Sequence, residues 1–195
     1  MPDVSTIPLA FATDSELIGW IAQCDPDALD ELFRRHRGIA YRVAYRLLNH
    51  EADALDAVQD GFANALTHLD RFRGNSSFKT WLLRIVSNAA LDLGRQRRRR
   101  DSRYSPEVAD ENHGPTDDMP PPEAGLERAD LRKRLADALA AIPDQQRQTF
   151  ALHIDGELSY QEVADTLGIS IGTVMSRIFY ARKRLQSLLA DYVCP

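Results

Sequence analysis

A chain of 195 residues with 44% apolar and 27% charged side chains falls in the ordinary range of water-soluble globular proteins, with room for one large or two small domains. No stretch reaches the ~18 uninterrupted apolar residues of a membrane span, and Met1 to Ala12 lacks the basic start and apolar run of a secretory signal, so a cytoplasmic protein with no membrane insertion is expected. Cys24 and Cys194 have no further cysteine or histidine at metal-ligand spacing, which predicts free thiols and no metal site.

The net charge of −5 is unevenly spread. Residues 1–70 hold 5 basic and 12 acidic groups, 71–103 hold 10 and 2, 104–130 hold 1 and 8, and 131–195 hold 8 and 7. One strongly basic block between acidic ones is the pattern of a local nucleic-acid face.

In chain order, Asp14 to Gln23 reads as a short helix with Leu17, Ile18 and Ile21 on one side. Asp25-Pro26 then places an N-cap before a proline at the first helical position, and Leu29, Leu32, Phe33, Ile39, Ala40, Val43 and Leu47 predict a long amphipathic helix to Leu48. A second helix spans Glu51 to Leu69, with Leu55, Val58, Phe62, Ala65, Leu66 and Leu69 as its apolar stripe. A third starts after Asn75-Ser76-Ser77, any of which can cap it, and carries Phe78, Leu82, Ile85, Ala89 and Leu93 into the run Arg95 to Arg100.

From Asp101 the pattern stops in a segment with Pro106, Pro115, Pro120, Pro121 and Pro122 among acidic residues, the composition of a linker. Helical spacing resumes over Gly125 to Ile142. Pro143-Asp144 opens a helix to about Ile154, Ser159 and Glu162 have capping-box spacing before Tyr160 to Leu167, and Ser170 can cap a last helix from Ile171 to about Ala190. No useful β-alternation occurs. The expected fold is all-α: an extension over 1–24, a helical unit over 25–100, a flexible acidic linker over 101–126 and a second small helical unit over 127–195.

Within Tyr160 to Leu185, Ala164 stands where two helices approach, Gly168 at the turn, and Val174, Ile178, Ala181 and Leu185 form a stripe at spacings of four, three and four. A small residue, a glycine four later and a branched apolar residue six after that have the steric pattern of a helix-turn-helix, whose second helix enters the major groove. With Val174 and Ile178 inward, Gly172, Met175, Ser176, Phe179, Tyr180 and Lys183 face outward, and residues 170–190 carry Arg177, Arg182, Lys183 and Arg184 without an acidic group. On the third helix, Trp81, Arg84, Asn88 and Arg95 flank the apolar stripe. An aromatic, an amide and two guanidiniums suit single-stranded bases, and the polar loop between Phe72 and Phe78 can accept an unstacked one.

These residues resemble a known family. Asp56-Ala-Val-Gln59-Asp60-Gly-Phe62, then Phe72-Arg73-Gly74-Asn75-Ser76-Ser77-Phe78-Lys79-Thr80-Trp81-Leu82 with Arg84-Ile85 and Asn88-Ala89, look like region two of the extracytoplasmic-function sigma factors of bacterial RNA polymerase, and Gly172 to Arg182 looks like their region four. The resemblance implies that Asp53, Asp56, Gln59, Asp60 and Phe62 bind core polymerase at the coiled coil of its β′ subunit, with the β flap as a second contact. It implies that Arg73, Asn75, Ser76, Ser77, Phe78, Lys79, Trp81, Arg84, Asn88 and Arg95 melt and capture the −10 promoter element. Gly172, Thr173, Met175, Ser176, Arg177, Phe179, Tyr180, Arg182 and Lys183 are implied to read the −35 element as duplex, although Met175 and Tyr180 stand where many members have a basic residue. An anti-sigma factor is an implied partner.

A conventional helix-turn-helix regulator acting without polymerase is the alternative, but it leaves the Asp56 to Phe62 stretch without a use. An enzyme is not expected. None of His36, His50, His68, His113 and His153 is paired with a nucleophile or ligand at a telling spacing, and no phosphate-cradling glycine loop exists. No catalytic residue, cofactor or small-molecule substrate is therefore assigned.

Overall fold

The computed structural model describes residues 8–101 and 133–190, all helices, turns and loops, with no strand among them. Asp101, expected to open the linker over 101–126, instead ends a helix, while residues 102–126, the start of the helix expected from Gly125 and Cys194 lie outside the described residues. Cys24 is exposed.

The N-terminal half holds α1 (Asp14–Ile21), α2 (Pro26–Leu48), α3 (Glu51–Thr67) and α4 (Phe78–Asp101). Their starts follow from side chains that satisfy the free N–H groups of a first turn. Thr13 and Glu16 form a reciprocal capping box on α1, and the Asp25 carboxylate accepts from the amides of Asp27 and Ala28 on α2. The α3 cap is less usual, because His50 Nδ1 accepts from the Asp53 amide at 3.2 Å. Of the three possible caps before α4, Ser77 takes the role, its Oγ accepting from the Thr80 amide at 3.1 Å. Helix α3 ends at Thr67 rather than Leu69, since the His68 amide is shared between the carbonyls of Asn64 and Ala65 and the chain tightens into a 3-10 turn, Leu69–Arg71.

Helices α2, α3 and α4 bury Leu32, Val43, Phe62, Phe78, Leu82, Leu83 and Val86 against one another. The closest approach of α3 and α4 is at Gly61, where an added Cβ would lie 2.5 Å from Val86 Cγ2 and 3.2 Å from its Cα. Valine is stiff at χ1, so this crowding is relieved only by moving the helices. Gly61→Ala is expected to lower stability by about 1–2 kcal/mol despite the better helix propensity of alanine, seen as a fall in Tm of about 2–8 °C. An unchanged thermal melt would contradict the packing of α3 on α4.

In the C-terminal half, residues 133–140 form α5, followed by α6 (Asp144–Ile154), α7 (Tyr160–Leu167) and α8 (Ile171–Leu188). Arg147 is 3% exposed, and its guanidinium donates to the carbonyls of Leu139 and Ala140 and to Asp144. It thereby satisfies the carbonyls at the end of α5. Ser159 and Glu162 cap α7 as a box, Gly168 takes the left-handed conformation at the turn (φ +65°), and Ser170 caps α8. Val163, Ala164, Val174 and Ile178 close the two helices on each other, as their spacing predicts.

The two halves share one core. Leu152, Leu158 and Val163 belong to the same apolar cluster as Leu83 and Val86 of α4. Gly156 marks the seam, since a Cβ there would meet the Leu152 carbonyl oxygen at 2.5 Å and Leu83 Cδ1 at 3.1 Å.

Candidate polymerase and promoter surfaces

On α3 the side chains of Asp56, Gln59 and Asp60 are exposed on the face turned away from the core. Two residues implied beside them have other duties. Phe62 is only 5% exposed and sits under Phe33 in an edge-to-face contact with ring centroids 4.6 Å apart. Asp53 accepts from Arg97 Nη1 at 2.8 Å, tying α3 to α4. Phe62 therefore lies beneath this surface and Asp53 is partly buried at its edge. Two apolar residues join it instead: Leu55 is 53% exposed and Phe33 38%. Helical spacing assigns both to the core stripe, but Leu55 lies one residue before Asp56 and four before Gln59, on the outer edge of that stripe. The result is an apolar centre with an acidic rim, the composition of a protein-binding patch.

The loop Arg73 to Ser77 is exposed, with Gly74 in the left-handed conformation at φ +70°. Its two ends are fixed by rings. Phe72, Phe78 and Trp81 contact one another with centroids 5.4–5.9 Å apart. Phe78, at 2% exposure, is the floor of this cluster, whereas Trp81 is half-buried. Arg73, Asn75, Ser76 and Arg84 reach solvent around it. Ser77 is occupied locally by its cap and by a 2.8 Å contact with Thr80 Oγ1.

The outer face of α8 matches the wheel drawn from sequence. Val174, Ile178 and Ala181 are buried, while Met175, Phe179 and Tyr180 are between 54% and 61% exposed, the last two rings meeting edge-to-face at 5.5 Å. Gly172, Arg182 and Lys183 are exposed beside them. Ser176 donates to the Thr173 carbonyl, Thr173 Oγ1 contacts Ser170 Oγ, and Arg177 donates to Gln145 Oε1 at 2.7 Å. Among the described residues no cluster of potential metal ligands exists, and no helix is long and apolar enough to cross a membrane.

Residues 32–100 match the family model of sigma-70 region 2, and residues 132–185 that of sigma-70 region 4. The chain is 31% identical over 186 residues to the RNA polymerase sigma-H factor of Pseudomonas aeruginosa, covering 91% of this chain and 96% of that one. It belongs to the extracytoplasmic-function sigma factors. A further member, sigma factor SigE of Mycolicibacterium smegmatis, is 37% identical over 164 residues, which cover 84% of this chain and 62% of SigE. Among solved structures, the sigma factor RpoE of Bartonella quintana in complex with the anti-sigma factor NepR is similar at a TM-score of 0.59 and 28% identity, over 77% of this chain and 89% of that one.

In this sigma factor the region 4 helices cover part of the region 2 surface. Arg46 of α2 forms a two-pronged pair with Asp155 after α6, Nε to Oδ2 at 2.8 Å and Nη2 to Oδ1 at 2.7 Å, and the carboxylate holds the guanidinium above its ordinary pKa. Gln148 Nε2 donates to Ser87 Oγ and to Asn88 Oδ1 at 3.2 and 3.1 Å. Lys79 Nζ donates to the Glu157 carbonyl at 3.5 Å, Arg42 pairs with Glu157, and Arg95 and Arg98 both approach Asp144. Lys79, Asn88 and Arg95, three of the residues implied at the −10 element, are therefore engaged by region 4 in this arrangement. The seam has no signature in the local sequence, because its partners lie 46 to 115 residues apart.

Proposed function

We propose that this sigma factor attaches to core RNA polymerase through the outer face of α3, captures −10 bases with the Arg73 to Ser77 loop and Trp81, and reads the −35 duplex with α8. The observation that carries the reading is the division of exposed chemistry along one chain. An apolar and acidic patch on α3 suits a protein, a ring cluster beside a polar loop suits unstacked bases, and an acid-free helix face suits duplex DNA. The β′ coiled coil is the partner proposed for α3 and the β flap that for region 4. Because Asn88, Lys79 and Arg95 face region 4, binding at −10 requires α6 and α7 to leave α4. Core polymerase then favours the separated arrangement, and an anti-sigma factor, the kind of partner present in the complex of the Bartonella relative, is proposed to act on this chain by favouring the closed one.

Run-off transcription with core polymerase on genomic fragments tests this directly. Transcripts are expected whose start sites share elements near −10 and −35, at a spacing of about one and a half to two duplex turns. Start sites with no common upstream element would refute the reading.

A further inference from the structure

Residues 9–21 precede the region 2 match, which begins at residue 32, and sequence alone gives them no task. They are nonetheless strapped tightly to α2. The Arg35 guanidinium collects the carbonyls of Leu9, Ala10 and Ala12 at 2.8, 3.1 and 2.6 Å, approaches Asp14 Oδ1 at 3.3 Å and is steadied from its own helix by Glu31, which takes its Nε at 2.7 Å. Leu17, within the strap, is fully buried in the apolar cluster that holds Ala28 and Leu32 of α2.

The neighbouring residue gives the strap a direction. His36 is 8% exposed, and its Nε2 lies 2.8 Å from Asp14 Oδ2. Its ring packs edge-to-face on Phe78 with centroids 5.3 Å apart, and Phe78 is the floor of the cluster with Phe72 and Trp81. An imidazole has a broad preference at χ2, so packing alone leaves its ring angle loosely set. A hydrogen bond to a carboxylate that is itself held by Arg35 sets it. The contacts run without a gap from Asp14 to His36, to Phe78, and to the two ends of the Arg73 to Ser77 loop.

We propose that the N-terminal strap is a positioning element for the −10 pocket, in which Asp14 orients His36 and His36 fixes the Phe78 ring on which Phe72 and Trp81 rest. This rests on the proposed role of Trp81 and its loop in −10 capture. A base-accepting pocket gains from being set before the base arrives, because the cost of ordering it is then absent from the capture step. Asp14 and His36 are positioning residues and touch no DNA.

The test uses holoenzyme reconstituted from core polymerase and the full chain, on a promoter duplex carrying 2-aminopurine in the −10 element. Asp14→Ala is expected to lower opening about tenfold, with core affinity and −35 duplex binding within about twofold of the parent. Asp14→Asn, which keeps an oxygen for His36, restores opening to within about threefold, and His36→Gln, which keeps a donor but removes the ring from Phe78, reproduces the loss. Trp81→Ala separates the two layers of argument. If Trp81→Ala abolishes opening and Asp14→Ala opens normally, the strap merely fastens α1 and the proposal fails alone. If Trp81→Ala opens normally, the −10 reading fails and takes the proposal with it. Equal losses of core affinity and opening in Asp14→Ala mark a general folding role and also overturn it.

Discussion

Replacing Leu55 with aspartate is expected to weaken binding to core polymerase on the order of 100-fold while leaving the fold intact. The side chain is 53% exposed on α3 and stands outside the buried apolar cluster, so a carboxylate there enters water in the free protein. In the bound state it would be desolvated at the centre of a patch whose rim already holds Asp56 and Asp60, and a buried unpaired charge costs several kcal/mol. Alanine at Gln59 and Asp60 removes rim contacts and should cost less, about tenfold together, and more at low salt than at high salt. Titration of labelled core polymerase with each variant, beside a thermal melt of the free protein, separates these effects. A Leu55→Asp chain that binds core normally would remove α3 from the interface.

Arg46→Ala is expected to raise the affinity of the free protein for a single-stranded −10 oligonucleotide on the order of 30–150-fold. Asp155 is 9% exposed with both oxygens on Arg46, so losing the guanidinium strands a carboxylate in the seam whenever region 4 lies closed. Removing one partner of a fully buried pair costs about 3–5 kcal/mol, and because the Arg46 side chain retains 27% exposure the figure here is about 2–3 kcal/mol. In the separated arrangement both groups are in water and nothing is lost, so the cost falls on the closed one alone. Asp155→Asn keeps an acceptor without the charge and should release only a few-fold. Anisotropy at one fixed salt concentration is the measurement, and an Arg46→Ala chain with parental affinity would show that the seam does not govern access to α4.

How much of this was legible from sequence varies with the range of the interaction. Helix starts were readable because caps are local: Asp25, Ser159 and Ser170 sit where spacing placed them. The outer face of α8 was readable for the same reason, since one turn of periodicity decides whether Met175 or Val174 is buried. The burial of Phe62 and Phe78 is not legible in the motif, because a family motif records which residues matter and not whether they stand at the surface or beneath it. Leu55 and Phe33 stand exposed where helical spacing places core residues, since the edge of an apolar stripe has the composition of its centre. The seam through Arg46, Gln148 and Asp155 and the link from Asp14 to His36 depend on how helices cross, which neither periodicity nor spacing encodes.

The outward side chains of α8 have a consequence for how such a protein diverges. Met175, Phe179 and Tyr180 stand in solvent, and the helix is held by Val174, Ile178 and Ala181 on its other side. Substitutions on the outer face therefore fall where changes are usually within about ±0.5 kcal/mol of neutral. After gene duplication, a copy can drift to a different upstream element one residue at a time without passing through an unfolded intermediate. The lattice of capped helices beneath is the constant part, and the reading face is the part that evolution can revise cheaply.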